Sequence, residues 1–401
     1  MTRFDPKWRM LALLATAELL AMTLWFSASA VGPELADAWN LSGAQTAWLT
    51  NAVQLGFVAG ALLSAVLTLS DTVPPRYLFA ASALVGAGAT AVIAGAVDSF
   101  LPAVALRFLT GAALAGVYPP GMKLIAGWFD TGRGFAIGTL VGALSVGSAM
   151  PHLLRAVGGI GDPTAVLYGA AALGALGGLL ALAARPGPHQ APAAPFDPGA
   201  VRRIVRDRPT MLANGGYFGH MWELYAVWTW IPLYLTAGFS GAVDTEVIAL
   251  LSFATIAVGG VGAAAAGRVA DRVGRTPLTS ASMAVSGACC LLAVPLFGAP
   301  LWVVTPFLLV WGVAIVADSA QFSAAVSELA APSYVGSALT LQTAVGFLLT
   351  TVSIQLTPIV ADAVGWQYAF VPLAAGPLVG TLSMLRLRAR PEAADLAGGR
   401  G

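Results

Sequence analysis

Seven ionisable side chains lie inside long apolar segments of this 401-residue chain, and chemistry is expected from them first. A charged group in hydrocarbon costs about 2.5–3.5 kcal/mol on insertion scales, so such groups usually face a partner or a water-filled cavity. A carboxylate in that setting can bind and release a proton, and an arginine can attract an anion. The seven residues are Glu18, Arg107, His152, Arg155, His220, Glu223 and Asp318.

One apolar segment contains Tyr217, His220 and Glu223, which recur about once per helical turn. Residues three apart share one face of a helix, so these side chains form a face that donates and accepts hydrogen bonds. We predict that this face binds a substrate. Trp230 and Tyr234 lie nearer the end of the segment and are predicted to anchor it at the membrane interface.

The charged residues divide by the chemistry that they favour. Glu18, Glu223 and Asp318 are candidates for proton coupling, because a buried carboxylate can titrate near physiological pH. Arg107 is the candidate countercharge for an anionic substrate, since a guanidinium keeps its charge in a protein. His152 and Arg155 are predicted to extend towards the membrane surface.

Uncharged polar groups add to the candidate substrate-binding residues. Hydrogen bonds between membrane helices, worth about 0.6 kcal/mol each on average, are the alternative explanation for any one of them. They are Asn51, Gln54, Gln321 and Gln342.

The composition excludes an ordinary soluble protein. Hydrophobic residues make up 58% of the chain and charged residues 10%, against about 45–50% and 25% in soluble domains. The apolar runs are long and rich in Ala, Leu and Gly, whereas a membrane β-barrel has short segments of alternating polarity. The sequence therefore predicts an all-α membrane protein.

Apolar windows of about 20 residues, each long enough to span a bilayer, predict twelve transmembrane helices. Two six-helix bundles, 1–185 and 210–401, are expected on either side of a central cytoplasmic loop, 186–209. The predicted helices are 8–31, 45–69, 77–97, 101–126, 134–157, 163–184, 210–236, 246–268, 276–297, 300–326, 336–358 and 366–388.

The basic residues predict the orientation in the cell membrane. With a cytoplasmic N-terminus, every Lys and Arg except Arg107 and Arg155 falls on the inner side, and the outer loops carry acidic residues such as Asp98 and Asp244. Cytoplasmic loops of membrane proteins are enriched in Lys and Arg. Both termini are therefore expected in the cytoplasm.

A charged signature marks the connection between predicted helices 8 and 9. The run from Gly267 to Arg275 reads GRVADRVGR, and the connection between helices 2 and 3 keeps Asp71 and Arg76 in a degraded copy. Asp71 and Asp271 stand 200 residues apart at equivalent positions. The chain therefore contains a repeated six-helix unit in parallel topology, an arrangement known in transporters.

These residues resemble the major facilitator superfamily, whose loop signature is G-x-x-x-D-R-x-G-R. Arg107 and Gly111, four residues apart, match a second feature of that family in helix 4. The resemblance implies the twelve-helix fold, alternating access, and a central cavity lined by helices 1, 4, 7 and 10. It also implies that the signature residues gate the inner side: Asp71, Arg76, Gly267, Asp271, Arg272, Gly274 and Arg275.

Other classes of function find little support in the sequence. A net charge of +1 leaves no basic excess for nucleic acid. The adjacent Cys289 and Cys290 are expected to fill space, and no metal site, cofactor site or phosphate-binding motif is predicted. The expected partners are a small-molecule substrate, protons and membrane lipid, and the chain is expected to act as a monomer and not as an enzyme.

We predict a proton-coupled secondary transporter of a small organic solute. Uptake of an organic anion beside Arg107 is the first hypothesis. Proton-driven efflux of hydrophobic or cationic compounds, using Glu18 and Glu223, is the alternative, and a non-transporting membrane receptor is the alternative from another class.

Overall fold

The computed structural model describes residues 5–67, 69–129, 132–189, 198–331 and 333–401, and within them all regular structure is helical. Twelve helical segments run alternately up and down. They are α1 (Pro6–Met22, Ser27–Ala30 and Gly32–Trp39), α2 (Gly43–Val66), α3 (Pro75–Ala96), α4 (Phe100–Leu114 and Tyr118–Ala126), α5 (Arg133–Leu154) and α6 (Pro163–Ala181). After the linker follow α7 (Arg208–Phe239), α8 (Thr245–Ala257 and Gly259–Val273), α9 (Arg275–Leu292), α10 (Leu301–Ala317 and Ser319–Leu329), α11 (Val335–Val364) and α12 (Ala375–Arg388).

Nine stretches of the described chain are long and apolar enough to cross a membrane; they correspond to nine of these segments, with α12 counted from Trp366 through the turns that precede it. The other three are α1, which is broken, α7, which carries the polar stretch around His220, and α9, which is rich in Ser and Thr. The predicted all-α class is confirmed. The short helices Leu69–Thr72 and Val201–Arg206 lie in connections, and short helical turns follow α5 and precede α12.

Local sequence explains where helices begin and end. Ser42 and Gln45 form a capping box at the start of α2, in which each side chain bonds the other residue's backbone. Asp162 caps α6 by accepting from the Ala165 N–H at 2.9 Å. Gly365 ends α11 with a φ of 97°, which a residue with a side chain rarely adopts.

Four predicted continuous helices are interrupted within their length, and α8 is one of them, at Val258. The other three are α1, which leaves the helical path between Met22 and Ser27, α4 between Leu114 and Tyr118, and α10 at Asp318. A break frees backbone carbonyls, which must find other donors in the absence of water. Hydropathy windows do not register this, because most residues at the breaks are as apolar as their neighbours.

Glycines let α5 and α8 touch along their backbones. A Cβ at Gly138 would lie 2.7 Å from Ala263 O, and one at Gly142 would lie 2.7 Å from Gly260 O. Nearer the signature, Gly134 and Gly267 meet in the same way. Close approach through small residues is a main source of helix association in membranes.

The end of the bundle that carries Pro6, the Val201–Arg206 helix and the α8–α9 turn is called the linker end, and the opposite end the far end. At the far end, α2 and α11 are joined by two hydrogen bonds. Asn51 Nδ2 donates to Thr351 O and Gln355 Nε2 to Ala44 O, each at 3.2 Å. These bonds connect the first and second six-helix sets and close the space between them.

Four expectations for residues near the far end were wrong. Trp230 and Tyr234 are buried in protein, where the Trp230 indole donates to Ile354 O at 2.9 Å. His152 is completely buried, and Arg155 is held by Glu34 through bonds of 2.7 and 3.0 Å. The type of a residue and its position within a predicted helix do not reveal that neighbouring helices cover its side chain.

Candidate functional site

A cavity of about 570 Å³ lies between the first six and the last six segments. Its walls come from α1, α2, α4 and α5 on one side and from α7 to α11 on the other. It reaches the linker end at Asp271, Arg275 and Glu328. A cavity of this size holds a small organic molecule.

An aromatic cluster closes the deep end of the cavity. Trp25 contacts Phe57, Tyr225 and Phe347 with ring centroids 5.1, 5.6 and 5.5 Å apart, and Trp228 contacts Tyr225 at 5.6 Å. The rings come from α1, α2, α7 and α11, so the cluster joins the two six-helix sets.

Polar groups face the cavity below the cluster. Tyr118 and Tyr217 contribute aromatic rings with hydroxyls, and Ser145, Gln321 and Thr343 contribute smaller polar groups. The charged side chains in the described lining are the three at the linker end. The deep part of the cavity is therefore apolar and aromatic, with hydrogen-bonding groups and no fixed charge on its described surface.

Glu18 lies directly behind the α4 wall. Its carboxylate is completely buried, and neither oxygen has a hydrogen-bond partner among the described residues. A Cβ at Gly121 would lie 2.7 Å from Glu18 Oε2, and the carboxylate is close enough to Tyr118 to interact electrostatically. An ionised carboxylate without a partner costs several kcal/mol in such a place, so this group is suited to carry a proton.

His220 and Asp318 form a buried pair behind the opposite wall. His220 Nδ1 lies 2.9 Å from Asp318 Oδ1, with the spacing of an ion pair but without the angle of a hydrogen bond. The imidazole also contacts the ring of Phe322, with centroids 5.7 Å apart. Asp318 stands at the break of α10, next to Ser319 of the cavity wall.

Glu223 belongs to the same side but has its own partners. Its Oε1 accepts hydrogen bonds from Ser286 Oγ and from Trp311 Nε1, the latter at 3.0 Å, and Cys290 Sγ lies 3.5 Å away. Tyr217 reaches the cavity, whereas His220 and Glu223 lie one layer behind it. The structure thus brings two of the three predicted proton-coupling carboxylates, Glu223 and Asp318, close to His220, and places Glu18 across the cavity.

Arg107 is turned to the backbone rather than to the cavity. Its guanidinium donates to Leu24 O at 2.9 Å, to Leu49 O at 3.1 Å, to Ser27 Oγ at 3.0 Å and to Trp25 O. These acceptors include the carbonyls freed where α1 breaks. The arginine therefore stabilises the break and has few donors left for a substrate.

The predicted amides have different surroundings. Gln321 lines the cavity and accepts from Arg275 Nη1 at 2.6 Å. Gln342 donates to Asn214 at 3.1 Å and accepts from Ser323 at 3.0 Å, so it is satisfied within the protein. Gln54 is buried with both amide atoms lacking partners among the described residues.

The loop signature lies at the mouth of the cavity. Arg275 binds Glu328 through two bonds of 2.5 and 2.7 Å. The Asp271 carboxylate lies beside the first turn of α5, where a Cβ at Gly134 would be 3.2 Å from Oδ2, and a helix N-terminus attracts negative charge. Arg268 packs on the Phe135 ring with its guanidinium carbon 3.7 Å from the centroid.

Two other signature residues, Arg272 and Arg76, have different surroundings. Arg272 is exposed. Arg76 bonds the hydroxyl of its neighbour Tyr77 at 2.9 Å. The side chain of Asp71 lies outside the described part of the chain, so its predicted role stays a prediction.

Sequence reasoning missed the aromatic cluster and Glu328. Trp25, Phe57 and Phe347 are separated by tens to hundreds of residues and look like ordinary apolar positions. Glu328 falls just beyond the predicted tenth helix, 300–326, and is absent from the predicted site residues. The signal that could have identified Glu328 as a site residue was its position at the end of a helix, which Arg275 shares.

Comparisons with known proteins agree with this fold. The nucleoside transporter NupG matches with a TM-score of 0.72 and 16% identity, over 94% of this chain and 99% of that one. The proton:xylose symporter XylE, bound to 6-bromo-6-deoxy-D-glucose, matches with a TM-score of 0.74 and 13% identity, over 95% of each chain. No curated protein matches the sequence significantly.

The fold and the central cavity define a multi-pass membrane protein with a transporter fold. Residues 14–352 and 213–401 match the family model of the Major Facilitator Superfamily. The chain belongs to this family, and the resemblance carried by the loop signature is confirmed. Its fold supports secondary transport by alternating access.

Proposed function

We propose that this protein is a proton-coupled secondary carrier that moves a small organic solute through the central cavity. The supporting observation is the cavity itself, lined by both six-helix sets, open at the linker end and closed by the aromatic cluster. Alternating access needs a site that both sets share, so that rocking one against the other exposes it at either end.

The proposed coupling groups are Glu18 on one side of the cavity and Glu223 and Asp318 with His220 on the other. Their burial in the protein, on helices that line the cavity, supports this role. Proton binding at such a carboxylate changes its charge and therefore the balance between two packings of the helices around it.

The proposed solute is a hydrophobic cation or a neutral aromatic compound. Buried carboxylates surround the deep cavity, and the one buried guanidinium in that region of the described chain, Arg107, donates to backbone carbonyls. Aromatic faces attract cations by about 0.5–2 kcal/mol each. The proposal therefore departs from the anion hypothesis and follows the alternative that the sequence left open.

A matched pair of ions tests the solute class. Tetraphenylphosphonium and tetraphenylborate have nearly the same shape and opposite charge. We expect the cation to raise the unfolding temperature of the purified protein and the anion to do so less, since a ligand at about 100 times its Kd stabilises the folded state by about 2.7 kcal/mol. Stronger stabilisation by the anion contradicts the proposed class.

Flux in proteoliposomes separates a carrier from a receptor. The compound that binds best is expected to accumulate when a pH gradient is imposed, and reversing the gradient gives the direction of coupling. Asp271→Asn is expected to lower the initial rate at unchanged expression, because the carboxylate that meets α5 loses its charge. Binding without any flux would favour the non-transporting alternative.

We place the linker end in the cytoplasm and the protein in the cell membrane, on the basis of the basic residues. A cysteine at position 244 is expected to react with an impermeant thiol reagent in intact cells, and a cysteine at 208 only after permeabilisation. Both native cysteines are buried, which keeps the background low. The reverse pattern would invert the proposed orientation.

A further inference from the structure

Polar residues continue the cavity-lining face of α5 beyond the closed end of the cavity. Val141 and Ser145 line the cavity. Ser148 and His152 follow them at steps of three and four residues, which keep side chains on one face of a helix. Because α5 runs from the linker end to the far end, Ser148 and His152 lie nearer the far end than any described α5 residue of the cavity wall.

Both side chains are completely buried, and their polar atoms lack hydrogen-bond partners in the described chain. This holds for the Ser148 hydroxyl and for both ring nitrogens of His152. Ser145, by contrast, donates to the Val141 carbonyl of its own helix at 3.0 Å. A buried polar group without a partner loses its hydration and gains no bond in return. The unpaired atoms therefore indicate a site whose partner binds in another arrangement of the helices.

Arg155 connects this site to Glu34 of α1. It interacts electrostatically with His152, and its guanidinium donates to Glu34 Oε1 at 2.7 and 3.0 Å. Glu34 Oε2 is buried and also lacks a hydrogen-bond partner among the described residues. A carboxylate oxygen can only accept hydrogen bonds, while a hydroxyl and a neutral imidazole can accept as well as donate. The kind of partner that suits all of these atoms is a hydrogen-bond donor.

The site lies on the boundary between the two six-helix sets. His152 follows Gly134 by about five helical turns and therefore faces the same way as Gly134, which touches α8 at Gly267. The first part of α8, Thr245–Ala257, packs against α5 and against the turn Arg155–Gly159 that follows it. α5 belongs to the first set and α8 to the second. Contacts across this boundary change when one set rocks against the other, whereas contacts within a set are largely kept.

We propose that Ser148 and His152 form a second binding station for the solute, on the far-end half of the path. The station opens when the sets separate at the far end, and it accepts hydrogen bonds from an N–H group of a cationic solute. It rests on the proposed alternating access and narrows the proposed solute to cations that carry such a group. The far-end connections support the charge, since they carry exposed acidic residues such as Asp98 and Asp244, and an acidic surface raises the local concentration of cations.

Cysteine reactivity tests whether the station opens. Ser148→Cys and His152→Cys are each treated, as purified full-length protein, with a hydrophilic thiol reagent, and the two buried native cysteines give the background. Val166→Cys is the matched control, because Val166 is as buried near the far end of α6 but clusters with apolar residues of the first set alone. We expect both station cysteines to react at least about tenfold faster than the control, since a minor conformation populated at about 0.1–10% exposes them.

Two small cations of equal charge test the chemistry of the station. Benzylammonium carries N–H groups, and benzyltrimethylammonium carries none. We expect benzylammonium to halve the labelling rate of Ser148→Cys at an about fivefold lower concentration, which is the factor for one net hydrogen bond. Adding His152→Leu to the Ser148→Cys protein is expected to remove the difference between the two cations.

Two outcomes would overturn the proposal. One is labelling of both station cysteines at the rate of Val166→Cys, and the other is equal protection by the two cations while His152 is present. Ser148→Cys exchanges one oxygen for sulfur, so it decides the first question if His152→Cys does not yield monodisperse protein. Neither measurement needs flux. Labelling and protection without transport would therefore refute the proposed carrier and leave the station, and transport without them would refute the station alone.

Discussion

Glu18→Gln is expected to abolish solute accumulation driven by a pH gradient and to preserve solute counterflow. The carboxylate is buried without a described hydrogen-bond partner, so the neutral amide fits the same space but can no longer bind and release a proton. Accumulation should fall to the level of liposomes without protein. Exchange of solute across the membrane needs no proton cycle and should remain measurable.

Glu223→Gln provides the comparison across the cavity. The amide oxygen can still accept from Ser286 and Trp311, so the fold should be retained while the proton site is lost. Glu246→Gln, at an exposed position near the start of α8, is the matched control and should behave as the parent. If both buried variants still concentrate solute with the parental dependence on pH, neither glutamate couples protons, and the His220–Asp318 pair becomes the remaining candidate.

Arg107→Lys is expected to destabilise the protein almost as much as Arg107→Leu, although it keeps the charge. The guanidinium donates to the carbonyls of Leu24, Trp25 and Leu49 at once. The lysine ammonium is a compact group on a shorter side chain, so it cannot bond all three carbonyls. Each buried carbonyl left without a donor costs about 1–3 kcal/mol. Thermal unfolding of the purified variants, monitored by intrinsic tryptophan fluorescence, measures the loss.

Arg76→Lys is the control for Arg107, because Arg76 is partly exposed and its described partner is the neighbouring Tyr77. No change in stability is expected there. A stable Arg107→Lys protein that retains binding of an organic anion, together with an Arg107→Leu protein that loses it, would restore the anion hypothesis.

Much of the fold could be predicted from local sequence. The twelve apolar windows, the polar linker and the GRVADRVGR signature are properties of short stretches of sequence. The windows indicate segments in lipid, the linker a segment in water, and the signature a tight turn. The positions of Glu18, Glu223 and Asp318 within such windows also marked them as unusual, since hydrocarbon penalises a charge whatever surrounds it. These conclusions needed no knowledge of which helices touch.

Partners and surfaces were decided only by the tertiary structure. Arg107 could be an anion site or a backbone donor until the break in α1 placed freed carbonyls around it. Asn51 meets Thr351 from 300 residues away, and Arg400 meets Asp271 across 129 residues. Hydropathy is a property of each residue, whereas a hydrogen bond or a cavity wall is a property of the crossing of two helices, and that crossing is set by packing over the whole bundle.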